Sequence, residues 1–168
     1  MADADKTVPG VKVDLTGQTA LVTGASRGIG RAIALQLASC GATVAGVART
    51  AAALEGTLAA IREAGGTAEG WAANVGDPAD VTRVVEEVEA KFGRIDILVN
   101  NAGITKDGLF LRMSDQDWKD VIDINLNGTF YFAKAAGLVM MRRRYGRIIN
   151  ITSVSGLVGN PGQANYSA

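Results

Sequence analysis

Thr19-Ala20-Leu21-Val22-Thr23-Gly24-Ala25-Ser26-Arg27-Gly28-Ile29-Gly30-Arg31-Ala32-Ile33 passes from an uncharged run, through three closely spaced glycines, into a helical repeat. Thr19 to Thr23 has the composition of a buried strand. Ile29, Ile33 and Leu37 recur every four residues on a helix expected to end near Gly41. A strand-to-helix turn without side chains lets backbone come close to a ligand, and free N–H groups at a helix N-terminus suit a phosphate. The competing reading is a tight turn with no ligand. The strand-turn-helix context favours the phosphate cradle.

Outward from this stretch, short β-branched runs alternate with longer helical patterns, the mark of parallel βαβ units with helices on both faces. Thr43 to Val47 reads as the second strand. Ala51 to Ala64 reads as a helix stopped by Gly65-Gly66, and Thr67 to Ala73 as a third strand that Gly70 interrupts. Asp77-Pro78 has the form of an N-cap with proline at the first helical position, followed by an apolar stripe of Val81, Val84, Val85 and Val88 up to Phe92-Gly93. Ile95 to Val99 is the fourth strand. Ser114 to Asp117 has capping-box spacing and opens a long helix towards Met141, after which Arg147 to Ile151 forms the fifth strand. Residues 1–12 read as a mobile tail and 13–168 as one α/β unit.

Composition removes several functions. The 168 residues carry 17 Lys plus Arg and 17 Asp plus Glu, a formal charge of zero that gives nucleic acid or an anionic membrane no field to follow. There is no histidine and one cysteine, Cys40, so zinc ligation, a Ser-His-Asp triad and an internal disulfide lack material. Cys40 reads as a small core thiol. The N-terminus has no secretory pattern and no segment suits a bilayer span, so a reduced, soluble, cytoplasmic protein is expected. Glycine, at 21 residues, is well above the usual roughly 7%.

The spacing T-G-x-x-x-G-x-G over Thr23 to Gly30, with Asn100-Asn101-Ala102-Gly103 at the end of the fourth strand, resembles the short-chain dehydrogenase/reductase family. The resemblance implies a Rossmann-type doubly wound parallel sheet of order 3-2-1-4-5 between two helix layers. It also implies a nicotinamide dinucleotide in the crevice above strands one and four. Gly24, Ser26, Arg27, Gly28, Ile29, Gly30, Asn101, Ala102 and Gly103 would bind it, with Asn74 and Val75 at the adenine and Tyr166 near the nicotinamide. The second strand ends Val47-Ala48-Arg49-Thr50, where an acidic residue would accept from a ribose hydroxyl and a basic one would pair with a 2′-phosphate. Arg49, helped by Arg27, therefore favours NADP(H) over NAD(H), unless Arg49 is only a solvated loop charge.

Reducing a ketone by hydride needs a proton donor and a second hydrogen bond to polarise the carbonyl. The resemblance assigns these to Tyr166 and Ser153, and a water relay to Asn125. Gly103 to Asp107, Leu111-Arg112-Met113 and Asn160 to Tyr166 are similar to reductases of 3-oxoacyl thioesters in fatty acid biosynthesis, carried on acyl-carrier protein or coenzyme A. The resemblance implies a homotetramer in the full-length form. Arg142-Arg143-Arg144 with Arg147 reads as cations at a helix C-terminus. The resemblance offers Arg144 as a contact for an acidic carrier protein.

The family's motif Y-x-x-x-K would put its lysine at position 170, two residues past Ala168. A polypeptide ending at 168 is then expected to be an N-terminal portion lacking the family's last strands. It would be inactive by itself, with a fraying Tyr166 and an exposed apolar fifth strand. The alternatives are a short product that binds nucleotide or pairs with subunits without catalysis, and a reductase of another small carbonyl compound.

Overall fold

The structure, a computed structural model, describes residues 13–168; the tail expected over residues 1–12 lies outside the described residues. Five parallel strands, β1 (Thr19–Thr23), β2 (Thr43–Ala48), β3 (Ala68–Ala72), β4 (Ile97–Asn100) and β5 (Arg147–Asn150), form a sheet in the order β3-β2-β1-β4-β5. All four pairings are parallel. The long helices are α1 (Gly28–Ser39), α2 (Glu55–Glu63), α3 (Pro78–Phe92) and α5 (Gly128–Arg143). Between α3 and α5 lies the short α4 (Asp115–Val121), and α6 (Ser155–Val158) and α7 (Ala164–Ser167) follow β5. Strand order, parallel pairing and helix placement are those expected for a doubly wound fold.

Both faces of the central strands are covered, which is why those strands are nearly continuously apolar. The two-residue side-chain period sends Leu21 and Leu98 to one face, against Val81, Val84, Val88, Phe132 and Val139 of α3 and α5. It sends Ala20, Val22, Ile97 and Val99 to the other, with Ala34 of α1 and Leu58 and Ile61 of α2. At the far end of the strands from the glycine turn, the fully buried Asp96 accepts from Thr19 N at 2.8 Å and from Arg94 Nε and Nη2 at 2.6 and 2.7 Å. That bidentate pairing holds the Arg94 guanidinium above its ordinary pKa.

Several boundaries and roles differ from the sequence reading. Residues Ala52–Leu54 form a 3-10 turn ahead of α2, so the helix starts later than position 51. Gly70 does not break β3: a Cβ there would meet Leu54 Cδ1 at 2.8 Å and Leu58 Cδ1 at 2.9 Å, so the glycine admits the close approach of α2. The long helix after Ser114 is divided by a π-helical turn, Ile122–Asn127, which contains Asn125. Ile29 is 64% exposed, while Ile33 and Leu37 pack inward. Cys40 is half-buried rather than in the core, and Gln36 Nε2 donates to its Sγ. Tyr166 stands in the helical turn α7.

The two capping expectations match. Asp77 accepts from Ala79 N ahead of Pro78, and Ser114 Oγ accepts from Asp117 N. On β5, Ile148, Ile149 and the following Ile151 are exposed. Among the described residues no helix is long and apolar enough to cross a membrane.

Candidate active site

The glycine turn and the Asn100–Gly103 turn leave the same ends of neighbouring strands, and a small polar clamp joins them. Thr23 Oγ1 donates to Val99 O (3.3 Å) and accepts from Asn101 N and Ala102 N, both at 3.0 Å. Asn101 Nδ2 reaches back to Thr23 O at 3.0 Å and Gly24 O at 3.3 Å. Two glycines make this possible. A Cβ on Gly24 would stand 2.9 Å from Asn101 Nδ2, and one on Gly30 would stand 2.2 Å from the Gly24 carbonyl oxygen. Gly28 differs: its φ is +55° and its Cβ direction is open.

Above this clamp lies an open groove of about 1050 Å³. Its walls contain Gly24, Ser26, Arg27, Gly28, Ile29, Gly30, Arg49, Asn74, Val75, Asn101, Ala102 and Gly103. These twelve residues come from four separate segments of sequence. The α1 N-terminus at the groove floor has no side-chain cap and no acidic residue in its first turn, whereas α3 and α4 have both. Its amides and its dipole are therefore available to an anion. Arg27 and Arg49 add two guanidinium groups to the walls. Two closely packed glycines, Gly24 and Gly30, uncapped amides and two cations make a surface suited to the phosphates of a dinucleotide.

Asn125, Ser153 and Tyr166 are not among the groove-lining residues. Asn125 stands directly behind the wall: its Oδ1 accepts from Ile104 N and its Nδ2 donates to Ile104 O, both at 2.9 Å. Its carbonyl accepts from Thr129 Oγ1 at 2.8 Å. The side chain is thus occupied with the loop. Ser153 Oγ, just after β5, accepts from Ser155 N at 3.1 Å. Gln163 then links three pieces: its Oε1 accepts from Ser155 Oγ and Asn160 Nδ2, and its Nε2 donates to Asp107.

Sequence reasoning missed Thr23, Gln163 and the cluster at the groove rim. There Lys106 Nζ pairs with Asp120 at 2.6 Å and Asp117 at 2.9 Å. Hydrogen bonds from Ser114 and Lys106 hold the Asp117 carboxyl below its ordinary pKa, and those from Lys106 and Gln116 do the same for Asp120. Their carboxylates in turn hold the Lys106 ammonium above its own. Depressed carboxyl values mean stabilisation present above the unfolded value of about 3.9 and lost as pH falls through the folded values. The raised lysine stabilises below about pH 10.4 and that contribution is lost above its folded value. Lys106→Met should therefore flatten the acid limb of the melting temperature between about pH 5 and pH 2, measured against the unsubstituted chain. Parallel acid limbs would exclude these pairs as its source.

The basic cluster is partly used up in the fold. Arg142 pairs with Glu89 at 2.8 Å, Arg143 donates to Gly93 O at 3.1 Å, and Arg147 lies over the Tyr145 ring. Arg144 is exposed and takes the left-handed cap of α5 at φ 53°.

Comparison with known proteins agrees with this geometry. A family model described as short chain dehydrogenase matches residues 18–168. A 3-oxoacyl-(acyl-carrier-protein) reductase of Synechocystis sp. is 53% identical over 155 residues, which are 92% of this chain and 63% of that protein. The Escherichia coli K12 protein of the same description is 51% identical over 156 residues, covering 93% of this chain and 63% of that protein. A crystal structure of a candidate short-chain alcohol dehydrogenase from Sinorhizobium meliloti 1021 superposes with a TM-score of 0.90 at 41% identity, over 92% of this chain and 62% of that one. The chain thus spans a little under two thirds of the length of these relatives.

Proposed function

Since the chain belongs to the short-chain dehydrogenase family, we propose that it forms the nucleotide-binding part, and a portion of the catalytic part, of an NADPH-dependent reductase of 3-oxoacyl thioesters. The observation that carries this reading is the convergence of twelve positions from four separate segments on one groove floored by uncapped helix amides. The relatives' descriptions supply the substrate class. Bound NADPH would supply the hydride. Gly24 to Gly30 would hold the diphosphate, Arg27 and Arg49 the 2′-phosphate, Asn74 and Val75 the adenine, and Asn101 to Gly103 the adjoining ribose.

For the chemistry, Ser153 orients the ketone and Tyr166 delivers the proton to the alkoxide oxygen. Asn125, whose side chain is bonded to Ile104, supports the water relay. Arg144, exposed at the end of α5, is the contact for an acidic acyl-carrier protein. The assembled enzyme is a cytoplasmic homotetramer.

Arg49→Glu tests the cofactor assignment. Losing a charge-assisted bond to phosphate, worth about 1.5–3 kcal/mol, should weaken NADPH about 10- to 100-fold in a fluorescence titration. NADH should bind no more weakly than before. Equal affinity of the unsubstituted chain for both cofactors would remove NADP(H) preference. Following NADPH absorbance with an acetoacetyl thioester tests the reaction: residues 1–168 alone should bind NADPH with little turnover, because the family's lysine position lies at 170. Turnover equal to that of a complete reductase would show that the reaction does not require that lysine.

A further inference from the structure

Tyr166 carries the proton step of the proposed reaction, yet its hydroxyl makes no hydrogen bond to another described residue. Its place is set by its neighbour. Asn165 is 1% exposed, and its Nδ2 donates to Lys106 O at 3.0 Å and to Asp117 O at 3.2 Å. Those acceptors lie 59 and 48 residues away in sequence. They are also tied to each other, since Lys106 Nζ meets Asp117 Oδ1 at 2.9 Å and Asp120 Oδ2 at 2.6 Å. The loop carrying Lys106 and the start of α4 thus form a joint into which α7 plugs a single amide. Lys106 also lines the nucleotide groove, so the joint fastens α7 to the groove wall.

The direction of these bonds is specific. Two carbonyl oxygens face one side-chain nitrogen, so the position requires a double donor. Asn165 Oδ1 is left buried without a partner among the described residues. Burying an amide with an unmet acceptor is unfavourable unless its donors are well used. Resting on the reading of Tyr166 as proton donor, we propose that Asn165 is a positioning residue, which sets the place of Tyr166 by fastening its helical turn to the Lys106–Asp117 joint beside the groove.

Asn165→Asp keeps size and shape but puts a carboxylate, an acceptor, against two carbonyls. Asn165→Ala removes the donors without adding charge. The probe is ring-labelled tyrosine in the 168-residue chain, which has three tyrosines, at 131, 145 and 166; Tyr166→Phe assigns the third resonance. Both Asn165 variants should move the Tyr166 ring resonance to the position of an unstructured tyrosine and leave those of Tyr131 and Tyr145 in place. Exchange of the Ser167 amide, bonded to Gln163 O at 2.8 Å, should quicken at least tenfold. An unmoved Tyr166 resonance in both variants would overturn the proposal. So would collapse of all three resonances together, which marks a general core residue. A parallel NADPH titration separates the two readings: failure of the unsubstituted chain to bind removes the groove assignment and leaves the ring result standing.

Discussion

Gly30→Ala should cost the chain its nucleotide affinity by about 100-fold or more, along with part of its stability. The added Cβ would lie 2.2 Å from Gly24 O and 2.4 Å from Asn101 Nδ2. Neither can move aside cheaply. Gly24 sits at φ +67° in the turn, and Asn101 Nδ2 is bonded to both Thr23 O and Gly24 O. Relief must come from displacing the first turn of α1, the element whose amides would hold the diphosphate. Overpacking of this kind typically costs about 1–3 kcal/mol, or a melting temperature lower by about 2–12 °C for a chain of this size. Gly28→Ala is the control: its Cβ meets nothing within 4 Å, although its φ of +55° adds about 1 kcal/mol of backbone strain. It should disturb binding more than packing, because Gly28 lines the groove and its Cβ would meet nothing within 4 Å. Fluorescence titration with NADPH and thermal melts check both. If Gly30→Ala bound NADPH within threefold of the parent, the clamp would not be what shapes the cradle.

Much of this architecture can be read from local pattern, and the limits of that reading are physical. Thr19 to Thr23, the glycine turn and the α1 repeat are contiguous, so composition and spacing expose them. The twelve groove positions are short motifs at strand ends, and the parallel order brings strand ends together without further information. The π-helical turn could not be seen, because Val121, Ile122 and Ile124 satisfy an ordinary helical stripe whether or not an extra residue is inserted. Ile29 obeys the same periodicity as Ile33, yet it stands at the helix end that faces the groove. Gly70 looked like an interruption because the leucines that need its space, Leu54 and Leu58, come from another element. Polar contacts over long sequence separations leave no local trace at all. Thr23 to Val99, and Asn165 to Lys106 and Asp117, belong to this kind.

Asp96→Ala should lower stability by about 1–3 kcal/mol, the usual consequence of leaving a buried backbone N–H without its acceptor, while leaving nucleotide affinity within twofold. The carboxylate is fully buried, with its oxygens shared among Thr19 N and the Arg94 fork. Arg94 is one-third exposed and can recover water when its partner goes. Thr19 N cannot, because Thr19 is buried at the start of β1, and its amide would be left without an acceptor. The same corner carries the backbone bonds from Asp96 N to Thr19 O and from Arg147 N to Asp96 O, so three strands are joined there. At about 2–4 °C per kcal/mol, the melting temperature should fall by about 2–12 °C. Asp96→Asn, which keeps one carbonyl acceptor, should fall less. A change under about 2 °C for the alanine variant would show that the corner contributes little. Doubly wound sheets bind ligands at the carboxyl ends of their strands, and this corner lies at the opposite ends. A pair of measurements therefore separates the two halves of the sheet: Gly28→Ala acts chiefly on binding, and Asp96→Ala acts on folding alone.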